Sequence, residues 1–200
     1  TAAFGGAVLA GATHFLSFIL GLELLSISLY ALVSYSRDLH VSVEAGMKYL
    51  ILAAGSAGML LFGMALIYAE LGTMEFAKLA PLAQSLSECG GINLTLRVGL
   101  ALVIVGFGFK LALAPFHMWI PDVYQGAPTP ITTFIASASK LAAFGMAYRL
   151  LAGGMAEVAH QWQLMLAVLA VLSLAIGNLV AIVQTNLKRM LAYSTIAQIG

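Results

Sequence analysis

Cysteine is almost missing from this chain of 200 residues, and so is charge. The single thiol, Cys89, excludes a disulfide within the chain, and no CxxC pair or His/Cys cluster offers a metal or iron–sulfur site. Only 8% of residues are charged and the formal net charge is +1, so no basic field points to nucleic acid. Alternating polar and apolar residues in strands of roughly ten, the pattern of a membrane β-barrel, are also lacking.

What is present is apolar sequence. Hydrophobic residues make up 62% of the chain and its mean hydropathy is +1.00. Several runs of about 20 apolar residues follow one another, the pattern of a polytopic helical membrane protein. The fold class is therefore all-α, a bundle of transmembrane helices. The chain opens and closes within apolar runs, so it is expected to be a piece of a longer membrane protein.

Spans are expected at residues 15–35, 49–69, 92–114, 130–151 and 164–183, with a truncated helix before Ala12-Thr13-His14 and another from Met190. Residues 37–48 and 184–189 read as short charged connections. Residues 71–91, split by Pro81, read as the longest polar loop, with at most a turn of surface helix at residues 74–78. Gly55, Gly58 and Gly63 offer close helix packing, as do Ser173, Gly177 and Ala181. Lys48, Arg97 and Arg149 lie at span ends and read as anchors. The lysine and arginine distribution places the 37–48 and 184–189 connections in the cytoplasm.

Three ionisable residues lie too deep for that reading. Lys140 is about ten residues from either end of its span, roughly 15 Å at 1.5 Å per residue, which a lysine stem cannot cover. Lys110 lies five residues before Pro115. Glu23 shares a helix face with Ser26, Tyr30 and Ser34. Each such group facing lipid at mid-helix costs about 2.5–3.5 kcal/mol, so a pure scaffold would gain by losing them. Glu23 and Lys110 are the expected pair of opposite charges.

Pro115 lacks the N–H that would bond the Leu111 carbonyl and its ring clashes there, so the helix is expected to break at Pro115. Pro121 marks a second break within a discontinuous stretch over residues 110–121. Freed carbonyls at a helix end favour a cation, and Lys110 is the one at hand. Trp119 and Tyr124 suit a membrane interface. Thr129-Pro130 reads as a cap and first helical residue, and Thr133 and Ser137 share the face of Lys140. His117, beside the break, either joins a relay or satisfies backbone carbonyls. Desolvation favours a neutral amine and a nearby carboxylate the charged one, so moving a carboxylate loads or releases a lysine's proton. A series of such groups is a proton relay. The same parts could bind Na⁺, although lysines repel cations.

The stretches GLELLSISLYALVSY, GFGFKLALAPFHMWIPDVYQGAPTPITTFIASASK and GNLVAIVQTNLKRMLAYSTIAQIG together resemble the antiporter-like membrane subunits of bacterial NADH–quinone oxidoreductase, respiratory complex I. The PDVYQGAPTP turn and the SASK site are nearer to that branch than to the Mrp cation/proton antiporters, which remain the alternative. The resemblance implies two inverted five-helix repeats, the first over residues 1–151 and the second begun by residues 152–200. It implies that Glu23, Lys110 and Lys140 form a proton relay coupled to electron transfer from NADH to quinone. It further implies a bacterial inner-membrane location and neighbours among the other membrane-arm subunits, sister antiporter-like subunits included. FMN, iron–sulfur clusters and quinone are expected in partner subunits, with no cofactor in this chain.

Overall fold

The computed structural model describes residues 1–88 and 93–200, so Cys89 and the expected helix start at Ile92 lie outside the described residues. Among those described, the chain is helical with no strand. The first helices are α1 (Ala2–Gly11), α2 (Phe15–Val33), α3 (His40–Leu71), α4 (Phe76–Glu88) and α5 (Leu94–Leu111). Then come α6 (Trp119–Gly126), α7 (Thr129–Phe134), α8 (Lys140–Tyr148), α9 (Ala159–Val183) and α10 (Leu187–Ile199). Among the described residues, four segments are long and apolar enough to cross a membrane: α2, α3, α5 and Ala156–Val183. The protein is a multi-pass membrane protein.

The break at Ala12-Thr13-His14 lies where expected. The His14 ring accepts from Leu16 N–H at 3.1 Å and caps α2. Helices α1 and α2 form a tight antiparallel pair. A Cβ at Gly5 would stand 2.5 Å from Leu25 N, and one at Gly21 would stand 2.6 Å from Leu9 N.

Two connections expected as loops are helical. Helix α3 has 32 residues, roughly 48 Å at 1.5 Å per residue, and overshoots a hydrocarbon layer of about 30 Å. Its first turns therefore hold polar residues, and Glu44 and Lys48 pair one turn apart at 2.8 Å. The apolar run begins at Tyr49, whereas the helix begins nine residues earlier, at His40. Helix α4 replaces most of the expected loop at residues 71–91 and runs through Pro81. It buries Phe76, Leu79 and Ala83. That helical spacing is stronger than the single backbone bond that Pro81 removes.

Of the three glycines expected to pack, Gly63 is the one in contact. A Cβ there would stand 2.7 Å from the Gly99 carbonyl of α5, whereas Gly55 and Gly58 face open space. The Gly63–Gly99 crossing brings α5 against α3 and holds its C-terminal end, with Lys110, deep in the bundle.

The span expected over residues 130–151 is a helical run from Thr129 to Gly154 in alternating geometry. Ile135–Ser139 and Arg149–Gly154 are π-helical, on either side of α8. Pro128 rather than Thr129 occupies the cap position of α7, a shift of one residue.

Candidate functional site

The site is built on the end of α5. That helix stops at Leu111, four residues before Pro115, because Ala112 turns into the left-handed region at φ 65°. Ala112 N–H donates to Phe109 O at 3.0 Å and Leu113 N–H to Gly108 O at 2.7 Å, a helix-terminating pattern usually built on glycine. Pro115 follows within the turn, after a cis peptide bond from Ala114. Pro121 interrupts nothing: it stands in the first turn of α6, where a backbone N–H has no helical partner to lose. Within residues 110–121 the helical run is interrupted from Ala112 to Met118.

Buried backbone groups in such a turn need partners, and each comes from a different element. Ala114 N–H donates to the Ser173 hydroxyl of α9 at 2.8 Å, and that hydroxyl donates to Leu169 O at 2.7 Å. Trp119 Nε1 of α6 donates to Phe109 O at 2.9 Å. The Leu111 carbonyl accepts from Lys140 Nζ at 3.2 Å. Ser173 was expected only as a small residue in a packing ridge. It is also the anchor of the break.

The cation at the end of α5 is therefore Lys140, not Lys110. Its side chain is buried at 4% exposure, and its ammonium meets the negative end of the α5 dipole. Thr133 and Ser137, expected beside it, are exposed and donate to their own helix at Thr129 O and Thr133 O. The π-helical turn at residues 135–139 is the cause. One extra residue rotates the preceding face by about 100° relative to an α-helix. Ser137 still borders, with Lys140 and Gln198, a cleft of about 400 Å³.

Lys110, 6% exposed, points the other way, into α2. Its Nζ donates to Ser26 Oγ at 2.7 Å, and Ser26 donates onward to Leu22 O at 2.6 Å. Among the described residues no ion pair joins Lys110 to Glu23. Glu23 is half-buried one turn from Ser26. The expected direct contact with Lys110 is thus replaced by one to a serine of the same helix. A cavity of about 10 Å³ beside Lys110, bordered by Ser26 and Ser56, is near the least volume that holds a water. The two ammonium groups sit on opposite sides of the same helix end, one on residue 110 and one on the carbonyl of residue 111.

His117 is 8% exposed, its ring stands 6.1 Å from that of Tyr193, and its Nδ1 has no partner among the described residues. Trp119 and Tyr124, expected at an interface, are each 2% exposed. Trp119 stacks on Tyr49 at 4.6 Å and Phe109 at 5.6 Å.

One cluster escaped the sequence reading. Asp122 of α6 pairs with Lys48 of α3 at 2.9 Å and Arg189 of α10 at 3.0 Å, and Arg189 also donates to Gln125 at 3.0 Å. Lys188 donates to Ala127 O at 3.0 Å. No local signal links residues so far apart in sequence; the only hint was that residues 37–48 and 184–189 were expected on one side of the membrane. Arg149, an expected anchor, donates to Gly11 O at 3.3 Å.

An interrupted helix inside a membrane bundle, with buried ammonium groups at its broken end, is the arrangement of a transporter-type membrane protein. Residues 12–200 match the family described as "NADH:quinone oxidoreductase/Mrp antiporter, TM", and the chain belongs to that family. It is 53% identical to NADH-quinone oxidoreductase subunit N of Nitrosospira multiformis, over 96% of this chain and 38% of that protein. It is 50% identical to subunit N of Thioalkalivibrio sulfidiphilus, over 98% of this chain and 40% of that one. The chain thus spans about two fifths of the length of these curated relatives. A chain of respiratory complex I from Thermus thermophilus superposes with a TM-score of 0.82 at 40% identity, covering 99% of this chain and 41% of that one. A chain of the Mrp complex from Dietzia sp. DQ12-45-1b superposes at 0.86 with 24% identity, over 98% of this chain and 36% of that one, a likeness of fold.

Proposed function

We propose that this chain is part of a proton-translocating membrane subunit of an NADH–quinone oxidoreductase, with Glu23, Lys110 and Lys140 as members of the relay. The observation that carries this reading is the placement of two buried ammonium groups on the two sides of one broken helix end, where a small movement of the turn changes the surroundings of both. Identity of about half to subunit N of such enzymes supports this reading over the Mrp alternative. Electron transfer from NADH to quinone belongs, on this reading, to partner subunits that carry FMN, iron–sulfur clusters and the quinone site. The partners are the other membrane-arm subunits, including the sister antiporter-like ones, in a bacterial inner membrane with the Asp122 side facing the cytoplasm. Residues 1–151 form the first inverted repeat and residues 152–200 begin the second. His117, with one ring nitrogen unpartnered, is available to the same relay.

The test uses the whole complex in liposomes. Lys140→Met removes the titrating group without leaving a buried charge. NADH-driven proton uptake per electron should fall several-fold while flavin and iron–sulfur subunits still co-purify. Normal pumping by the assembled variant would remove Lys140 from the relay. Purification with other antiporter subunits alone, free of flavin, would favour the Mrp reading.

A further inference from the structure

Lys110 is buried, and among the described residues only one of its three N–H donors is matched within the protein, by Ser26 Oγ at 2.7 Å. A buried charge is costly unless it is hydrogen-bonded, so the remaining donors call for a partner. The cavity beside the ammonium supplies the place. It holds about 10 Å³ and is bordered by Ser26 of α2, by Ser56 and Leu60 of α3, and by Gly106 and Lys110 of α5. That volume admits one water and excludes a hydrated ion, and a bare cation of similar size would be repelled by the ammonium.

Ser56 reaches this cavity because of the way α3 and α5 cross. The two helices run antiparallel, with Gly63 against Gly99 and then Leu60 against Gly106, where an added Cβ would stand 2.5 Å from Leu60 Cδ1. One more turn along each helix brings Ser56 opposite Lys110. Gly106 therefore lets α3 close over this end of α5. Ser26, Ser28, Ser137 and Ser173 each donate to the carbonyl four residues back. Ser56 is half-buried and has no such bond among the described residues, and it borders the cavity instead.

We propose that Ser56 is a positioning residue for Lys110: with Ser26 it holds a single water that takes a second N–H of the ammonium. The water accepts from Lys110 Nζ, donates to the lone pair that remains on Ser26 Oγ, and shares a hydrogen bond with Ser56 Oγ. Ser26 cannot donate to it, since its own proton goes to Leu22 O at 2.6 Å. Three polar partners fall within the two to four that a buried water needs. The role of this water in the relay rests on the proton-translocation reading above. There it keeps the charged form of Lys110 solvated and aimed at α2; without it the ammonium has a single partner inside the bundle.

The experiment uses the whole complex. A cryo-EM map of the wild type, fine enough to show ordered waters, should carry a peak about 2.5–3.2 Å from Lys110 Nζ, Ser26 Oγ and Ser56 Oγ, and the peak should vanish in Ser56→Ala. In liposomes Ser56→Ala should assemble in wild-type amounts and pump several-fold fewer protons per electron. Ser56→Thr, which keeps the hydroxyl, should recover most of the loss. Added to Lys110→Met, Ser56→Ala should cause no further loss, as expected of a residue that acts through the lysine. A wild-type map without the peak, or a peak that survives in Ser56→Ala, overturns the proposal. Provided Lys140→Met has lost pumping, so does wild-type pumping by Ser56→Ala, a threonine variant as poor as alanine, or a further loss in the double variant. Failure of Ser56→Ala to assemble makes Ser56 structural and also overturns the proposal. Wild-type pumping by Lys140→Met overturns the translocation reading instead, and the map alone then decides the water site.

Discussion

The Lys110 and Lys140 ammonium groups each rest on a neutral acceptor, a serine hydroxyl at 2.7 Å and a backbone carbonyl at 3.2 Å. The positions of Lys110 and Lys140 far from any span end foretold burial, and both are buried at 6% and 4% exposure. Their partners depend on which way a flexible stem turns, and spacing along a helix cannot give that. Glu23 and Ser26 were expected on one helix face and Glu23 was paired with Lys110 by charge, yet the serine, not the carboxylate, takes the ammonium bond. Ser26→Ala should therefore unsettle Lys110. Hydrogen bonds to charged groups are worth about 1.5–3 kcal/mol, so the assembled variant should unfold several degrees lower in a thermal scan. Glu23→Gln, which changes charge without touching that bond, should shift the scan much less. Equal shifts would show that Glu23 holds Lys110 directly.

At the scale of elements, the sequence foretold a broken helix within residues 110–121, and the helix ends four residues before the proline that signalled it. Proline was the visible signal, whereas the chain turns at Ala112, an ordinary residue in a left-handed conformation that no residue type announces. What makes the turn tolerable at membrane depth is the supply of partners from α6, α8 and α9, contacts that no local pattern encodes. The π-helical turns were likewise invisible, and with them the rotation that turns Thr133 away from Lys140. Ser173→Ala tests the importance of one partner. It leaves Ala114 N–H buried without an acceptor, a loss of about 1–3 kcal/mol. Ser173→Thr keeps a hydroxyl and should restore most of it. If alanine and threonine lower the unfolding temperature alike, the effect is one of packing against α10, not of the bond.

At the scale of the whole molecule, the apolar runs foretold a helical membrane bundle, and the helix crossings followed from small residues such as Gly63 and Gly99. Loops were the weakest part of that reading, because polar composition hides a helix that extends beyond the lipid, as α3 and α4 do. The Asp122 cluster joins α3, α6 and α10, with side chains about one-third to one-half exposed. Pairs this exposed are screened by salt, over a length near 30 Å at 0.01 M and near 3 Å at 1 M. Asp122→Asn should lower the unfolding temperature at low salt and leave it close to wild type at 1 M. An equal loss at both salt concentrations would show a network shielded from solvent.

The tethering of the broken segment also has a consequence during synthesis. Ala114 and Ala127 find their partners in Ser173 and Lys188, which lie 59 and 61 residues later in the chain. At a synthesis rate of about 5–20 residues per second, the segment waits roughly 3–12 s with these groups unmatched. Through that interval a nascent chain must shelter a backbone N–H and a backbone carbonyl, using water or the insertion machinery in place of helices that the ribosome has yet to release.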